Sequence, residues 1–126
     1  MVLMVHMDSK TDIAQLKKRV QKFCEERDWD RYHNAKDLSI GVSTEAAELL
    51  EHFRFKSDKE VEEMFKDARK KGEITEEVAD VFYFLLRLSQ KYDVDLTDAL
   101  ESKILKNEGK YPIEKAKGSN KKYNEF

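Results

Sequence analysis

Apolar positions recur at intervals of three and four along most of this chain, the spacing that gathers side chains onto one face of an α-helix. Ile13, Leu16, Val20 and Phe23 make the first such stripe and predict a helix over about residues 9–27. The next segment, 28–34 (DWDRYHN), has no period. It gathers the only Trp with a Tyr and a His in a connector, where rings can face a ligand. A second helix over about 37–53 carries Leu38, Val42, Glu45, Leu49 and Phe53 on one stripe. Ser57 followed by Glu60 spells a capping box for a third helix, with Val61, Met64, Phe65 and Ala68 inside and Gly72 closing it. The fourth, about 73–92, is the most apolar. Val78, Val81, Phe82, Leu85 and Leu86 leave it little polar face, which predicts burial in a subunit interface as well as a core. Thr97 is the expected N-cap of a fifth helix, with Leu100, Ile104 and Leu105 packed and with Gly109 and Pro112 ending it.

Composition supports the same picture. A chain of 126 residues is one domain by size, and 40% hydrophobic with 40% charged residues, one Pro and four Gly is a helical balance. No stretch alternates in the manner of a strand. The expected fold is all-α, a four-helix-bundle-like arrangement of four main helices and one short one, over a single domain 1–126. Residues 1–8 form a loose N-terminus, too short and without the basic region of a signal peptide; residues 113–126 form a polar, Lys-rich tail. The net charge of -2 gives no nucleic-acid or membrane footprint. A single cysteine, Cys24, reads as a small core residue in a reducing, cytoplasmic setting.

Two acid pairs change the picture. Glu45-x-x-Glu48 and Glu77-x-x-Asp80 lie inside apolar helical stretches. Val42, Glu45, Leu49 and Phe53 share one stripe, and Ile74, Glu77, Val81 and Phe84 share another. A carboxylate in a core-facing slot must neutralise, pair or coordinate a metal. Two such helices facing each other could pool four carboxylates. The three histidines, His6, His33 and His52, form no Glu-x-x-His, so a ferritin-like di-iron bundle is disfavoured. An all-oxygen set fits Mg²⁺ or Mn²⁺ better than Zn²⁺ or Fe²⁺, and protein-bound Mg²⁺ takes substrate phosphate oxygens. Phosphoryl or nucleotidyl chemistry is therefore the leading class. Lys103, Asn107 and Lys110, spaced by four and three, would present two charges and an amide to a phosphate.

With these residues in place the chain resembles the all-α, MazG-like NTP pyrophosphohydrolases, toward their dCTP pyrophosphatase branch. The resemblance is carried by Glu45-x-x-Glu48, twenty-eight intervening residues and Glu77-x-x-Asp80, together with 23–29 (FCEERDW), His33, 41–49 (GVSTEAAEL) and 76–81 (EEVADV). It continues through 94–96 (VDL), Ser102 and Lys103, Asn107, 110–112 (KYP) and 118–123 (GSNKKY). What it implies is hydrolysis of a nucleoside triphosphate between the α and β phosphates, in a homodimer or homotetramer. By the same resemblance Glu45, Glu48, Glu77 and Asp80 hold Mg²⁺, Lys103, Asn107, Lys110 and Tyr111 contact phosphate and sugar, and Trp29 and His33 sit near the base. Phe55 stands where a tryptophan is expected and Phe84 where a tyrosine is expected. Both keep a ring for stacking, and the preferred base is what these departures affect.

Plainer readings stand beside each of these. On periodicity alone the four acids are as readily salt-bridge partners in a structural bundle. Trp29 alone is more often a packing residue, His33 a surface loop residue, and Lys103 and Lys110 solvated charges at a helix end. Besides the hydrolase, two alternatives follow: a non-catalytic helical oligomerisation or interaction module, and a carboxylate-bridged redox bundle.

Overall fold

The computed structural model describes residues 7–125; of the expected loose N-terminus, residues 1–6 lie outside the described residues, as does Phe126 of the tail. All regular structure among the described residues is helical. The chain divides into two compact units, 1–93 and 94–126.

The first unit holds α1 (Ile13–Glu26), α2 (Ala35–Phe53), α3 (Asp58–Lys66) and α4 (Ala68–Lys91). Helix α4 is its centre: it packs most extensively against α2, then against α1 and α3. Among the described residues the buried apolar side chains, Cys24, Leu38, Ile74 and Leu86, come from α1, α2 and α4, and all but Cys24 from the two acidic helices. Each helix starts on a side-chain cap, which satisfies amide groups that have no partner inside the helix. Asp12 and Gln15 form a reciprocal capping box for α1 at 2.8 and 2.9 Å. The box expected at Ser57 and Glu60 is present, with both bonds at 3.1 Å. Asn34 accepts from the Asp37 amide at 2.8 Å, so α2 begins earlier than its apolar stripe.

The boundary between the third and fourth helices differs from expectation. Gly72 does not close α3. Instead Asp67 leaves helical geometry, and its carboxylate accepts from the Arg69 and Lys70 amides at 2.9 and 3.4 Å, so that α4 begins at Ala68. Gly72 sits within α4 in open space. A lone glycine costs a helix about 1 kcal/mol, which is too little to stop one held by packing. Likewise Ser9 belongs to a separate turn, Asp8–Lys10, rather than to α1. Three non-glycine residues follow helix ends in the left-handed region: Asp28, Phe55 and Asp93, with φ of 54°, 65° and 52°.

The second unit holds α5 (Leu96–Lys110), α6 (Ile113–Ala116) and a final turn at Tyr123–Glu125. Asp95, not Thr97, caps α5, its carboxylate accepting from the Asp98 amide at 2.8 Å. Gly109 lies inside α5, and Pro112 starts α6 within the stretch expected to be tail. Leu100, Ile104 and Leu105, expected to be packed, are exposed. One long helix with two short turns has too little surface to cover them.

Candidate functional site

The site is built by the α2–α4 pair. Glu45 and Glu48 lie one turn apart on α2, and Glu77 and Asp80 one turn apart on α4. Side-chain oxygens of Glu45, Glu48 and Glu77 lie within 4.8 Å of one another. One oxygen of Glu45 and one of Glu77 are buried without a hydrogen-bond partner among the described residues. Burying a carboxylate oxygen unpaired is unfavourable, and three such groups crowded together repel. Partial burial first, and then the carboxylates of Glu48, Glu77 and Asp80, push the Glu45 pKa up to about 7. Burial also raises that of Glu77, reinforced by Glu48 and Asp80. A divalent cation would resolve both problems by supplying charge and filling the orphaned lone pairs. The all-oxygen donor set suits a hard ion of that kind.

Asp80 stands outside this converging trio but shares a cavity wall with Glu45. The cavity, of about 510 Å³, is lined by Arg19, Val20, Phe23, Trp29, Glu45, Ala79, Asp80, Tyr83 and Phe84. It opens between α1, the connector after it, α2 and α4. Its aromatic wall is ordered: Trp29 meets Phe23 edge-on with ring centres 5.6 Å apart, and Tyr83 meets Phe23 and Phe84 edge-on at 6.1 and 5.0 Å. Behind the wall the Tyr83 hydroxyl contacts the Cys24 thiol at 3.1 Å. Burial raises the tyrosine pKa, so the hydroxyl stays neutral. A carboxylate cluster at one end and a ring-lined slot beside it can hold a molecule with a charged, metal-binding end and a flat, stackable end.

The remaining expected residues are distributed as follows. Trp29 and Phe84 line the cavity. His33 lies beside Trp29, ring centres 6.4 Å apart, and its Nδ1 accepts from Arg87 Nε at 3.0 Å. Phe55 follows α2, 90% exposed, with the Arg54 guanidinium 4.6 Å over its ring. Lys103, Asn107, Lys110 and Tyr111 lie in the second unit; Lys110 Nζ stands 4.8 Å over the Tyr123 ring, which also meets Tyr111 edge-on. Arg19, Val20, Phe23, Tyr83 and Arg87 were not foreseen. Arg87 left a legible signal: a cation embedded in the most apolar helix, ten residues after Glu77 and three after Phe84, which puts it on their face.

The fold and this acidic pair define the class: residues 40–126 match the model of the MazG-like family, and the chain belongs to that family. Among curated proteins it is similar to dCTP pyrophosphatase 1 of Mus musculus, 33% identical over 105 residues, and to that of Homo sapiens, 34% identical over 105 residues. Each alignment covers 83% of this chain and 62% of the relative, so the chain spans less than two thirds of their length. Among solved structures it resembles a pyrophosphatase from Archaeoglobus fulgidus, with a TM-score of 0.74 and 36% identity over 88% of this chain and 99% of the other.

Proposed function

We propose that the chain hydrolyses a nucleoside triphosphate between its α and β phosphates, releasing a nucleoside monophosphate and pyrophosphate. The observation that carries this reading is the convergence of Glu45, Glu48 and Glu77, two of them with orphaned buried oxygens, at the edge of an aromatic cavity. Family membership and the pyrophosphatase relatives support it. Glu45, Glu48 and Glu77 would hold Mg²⁺, or Mn²⁺ in its place, with Asp80 completing the acidic set from the cavity wall. When bound, such an ion neutralises phosphate oxygens and lowers the pKa of a coordinated water. Trp29, Phe84 and, from the end of α2, Phe55 offer rings to the base; by the family resemblance alone, Lys103, Asn107, Lys110 and Tyr111 would serve phosphate and sugar.

The substrate we favour is dCTP or a related pyrimidine or modified nucleotide, a reading supported by the activity for which the curated relatives are named. The whole chain, 1–126, would act as one nucleotide pyrophosphohydrolase domain assembled as a homodimer or homotetramer. Supporting assembly, Val78, Phe82 and Leu85 form an exposed apolar stripe on α4. The reading places the enzyme in the cytoplasm; no described helix is long and apolar enough to cross a membrane.

The test is product analysis of the purified protein with Mg²⁺ and a panel of NTPs and dNTPs, resolved by anion exchange. Monophosphate plus pyrophosphate, lost on adding EDTA, is the expected result. Diphosphate plus phosphate would refute the bond assignment. No turnover by folded protein would favour the interaction-module reading.

A further inference from the structure

Among the described residues, the most heavily bonded buried group lies outside the acidic cluster. Arg87 is fully buried, and its guanidinium donates in three directions: Nε to His33 Nδ1 at 3.0 Å, one terminal nitrogen to Asp30 at 2.6 Å and the other to Gln90 at 2.5 Å. Lys91, one turn on, donates to the Asp30 backbone carbonyl at 3.0 Å and stands 3.4 Å from its carboxylate. These two cations near the end of α4 thus grip one short segment, the connector between α1 and α2. That segment carries Trp29 into the cavity wall and sets the His33 ring against it.

The bonding has a chemical consequence for His33. A guanidinium can only donate, so the Nδ1 atom facing it must carry a lone pair. The neutral ring then bears its proton on Nε2, which has no protein partner among the described residues. Protonation of the ring would place an N–H against Arg87, and burial with the Arg87 charge accordingly holds the His33 pKa below its ordinary value. Asp30 and Lys91 are the other charged groups facing it.

We propose that Arg87 is a positioning residue for the nucleotide pocket: it fixes His33 as a neutral, Nε2–H donor and pins Trp29 in the cavity wall. Resting on the nucleotide reading above, this makes His33, beside the cavity-lining Trp29, a donor and not an acceptor, suited to a nucleotide that presents a carbonyl or other lone-pair acceptor to it. The donor can neither switch role by tautomerisation nor charge near neutral pH without breaking the Arg87 bond.

Two measurements on the full chain with Mg²⁺ test this. The first is the ¹⁵N imidazole spectrum of His33 at neutral pH, before and after adding a non-hydrolysable dCTP analogue. We expect an unprotonated Nδ1, a protonated Nε2 and a change in the Nε2 signal on binding. The second compares wild type with Arg87→Lys, which keeps a cation but loses the fork. We expect KM for dCTP to rise about tenfold with kcat little changed, and His33 to show mixed tautomers. A wild-type His33 protonated on Nδ1, or an Arg87→Lys protein with wild-type tautomer and KM, would overturn the proposal. Should Arg87→Lys not fold, the wild-type spectrum decides alone. Absence of any nucleotide turnover would defeat the hydrolase reading while leaving the tautomer result intact, so the two failures are distinguishable.

Discussion

The Phe84 ring lies against the bare backbone of Gly41: a Cβ added to Gly41 would sit 2.5–2.8 Å from three of its ring carbons. Gly41 precedes Glu45 by one turn of α2, and Phe84 follows Asp80 by one turn of α4. The ring therefore sets how closely the two acid-bearing helices approach, one turn away from where their carboxylates converge. Gly41→Ala should force Phe84 aside or the helices apart, costing about 1–3 kcal/mol as overpacking does. Weaker cation binding should accompany the loss. Chemical denaturation and a Mg²⁺ titration on the same variant check both effects.

The acidic cluster should make stability depend on pH and on added metal in a defined sense. Glu45 has a folded pKa of about 7, above its unfolded value of 4.5. Its contribution is thus fully present below pH 4.5 and lost as pH rises toward 7. His33 acts oppositely: its folded pKa is lowered, so its contribution is full above 6.5 and lost as pH falls below that value. Melting temperatures in EDTA should show the Glu45 loss between pH 4.5 and 7 as the difference between wild type and Glu45→Gln. Saturating Mg²⁺ should remove that loss in the wild type, because a bound cation stabilises the folded state by mass action.

Glu48→Gln and Asp80→Asn should abolish turnover while leaving helical content, read by circular dichroism, unchanged. Retained activity in both folded variants would remove these two residues from the proposed site.

Phe55 combines a φ of 65° with almost complete exposure. A bulky residue in the left-handed region costs about 1–2 kcal/mol, whereas asparagine tolerates it. Phe55→Asn should therefore stabilise the chain by about 0.5–1 kcal/mol, since little apolar burial is lost. If the ring stacks on substrate, KM should rise in the same variant. Thermal melts and steady-state kinetics read the two effects separately.

Tyr83→Phe removes the hydroxyl that meets the buried Cys24 thiol. The expected cost is about 1 kcal/mol, the typical worth of one buried hydrogen bond. Denaturant midpoints at constant slope are the appropriate measure.

Much of this was legible in the chain, and the exceptions have physical reasons. The acid pairs on α2 and α4 were visible because a carboxylate inside an apolar stripe conflicts with its neighbours, and conflict is informative. The Ser57–Glu60 box was visible because capping is local. The start of α4 was missed because Asp67 competes with Gly72 as punctuation, and cap geometry decided it rather than residue type. Arg19 and Phe23 were missed as cavity lining because their partners come from α2 and α4, and no local pattern encodes that meeting. His33 was singled out, but the atom that defines its chemistry belongs to Arg87, 54 residues away.

Helix α4 carries Glu77, Asp80, Phe84 and Arg87 along one side. A helix advances about 1.5 Å and turns about 100° per residue. The ten steps from Glu77 to Arg87 therefore act as a ruler of about 15 Å, with the acidic end, the ring-lined slot and the clamp as its marks. Their spacing is inherited from backbone geometry and does not drift with loop motion. Inserting one residue between Asp80 and Phe84 would leave every side chain present, yet swing the slot about a quarter turn away from the acids. On the nucleotide reading proposed above, size selection would be written into helical phase, and variants that differ in substrate length should be sought among changes in α4 register.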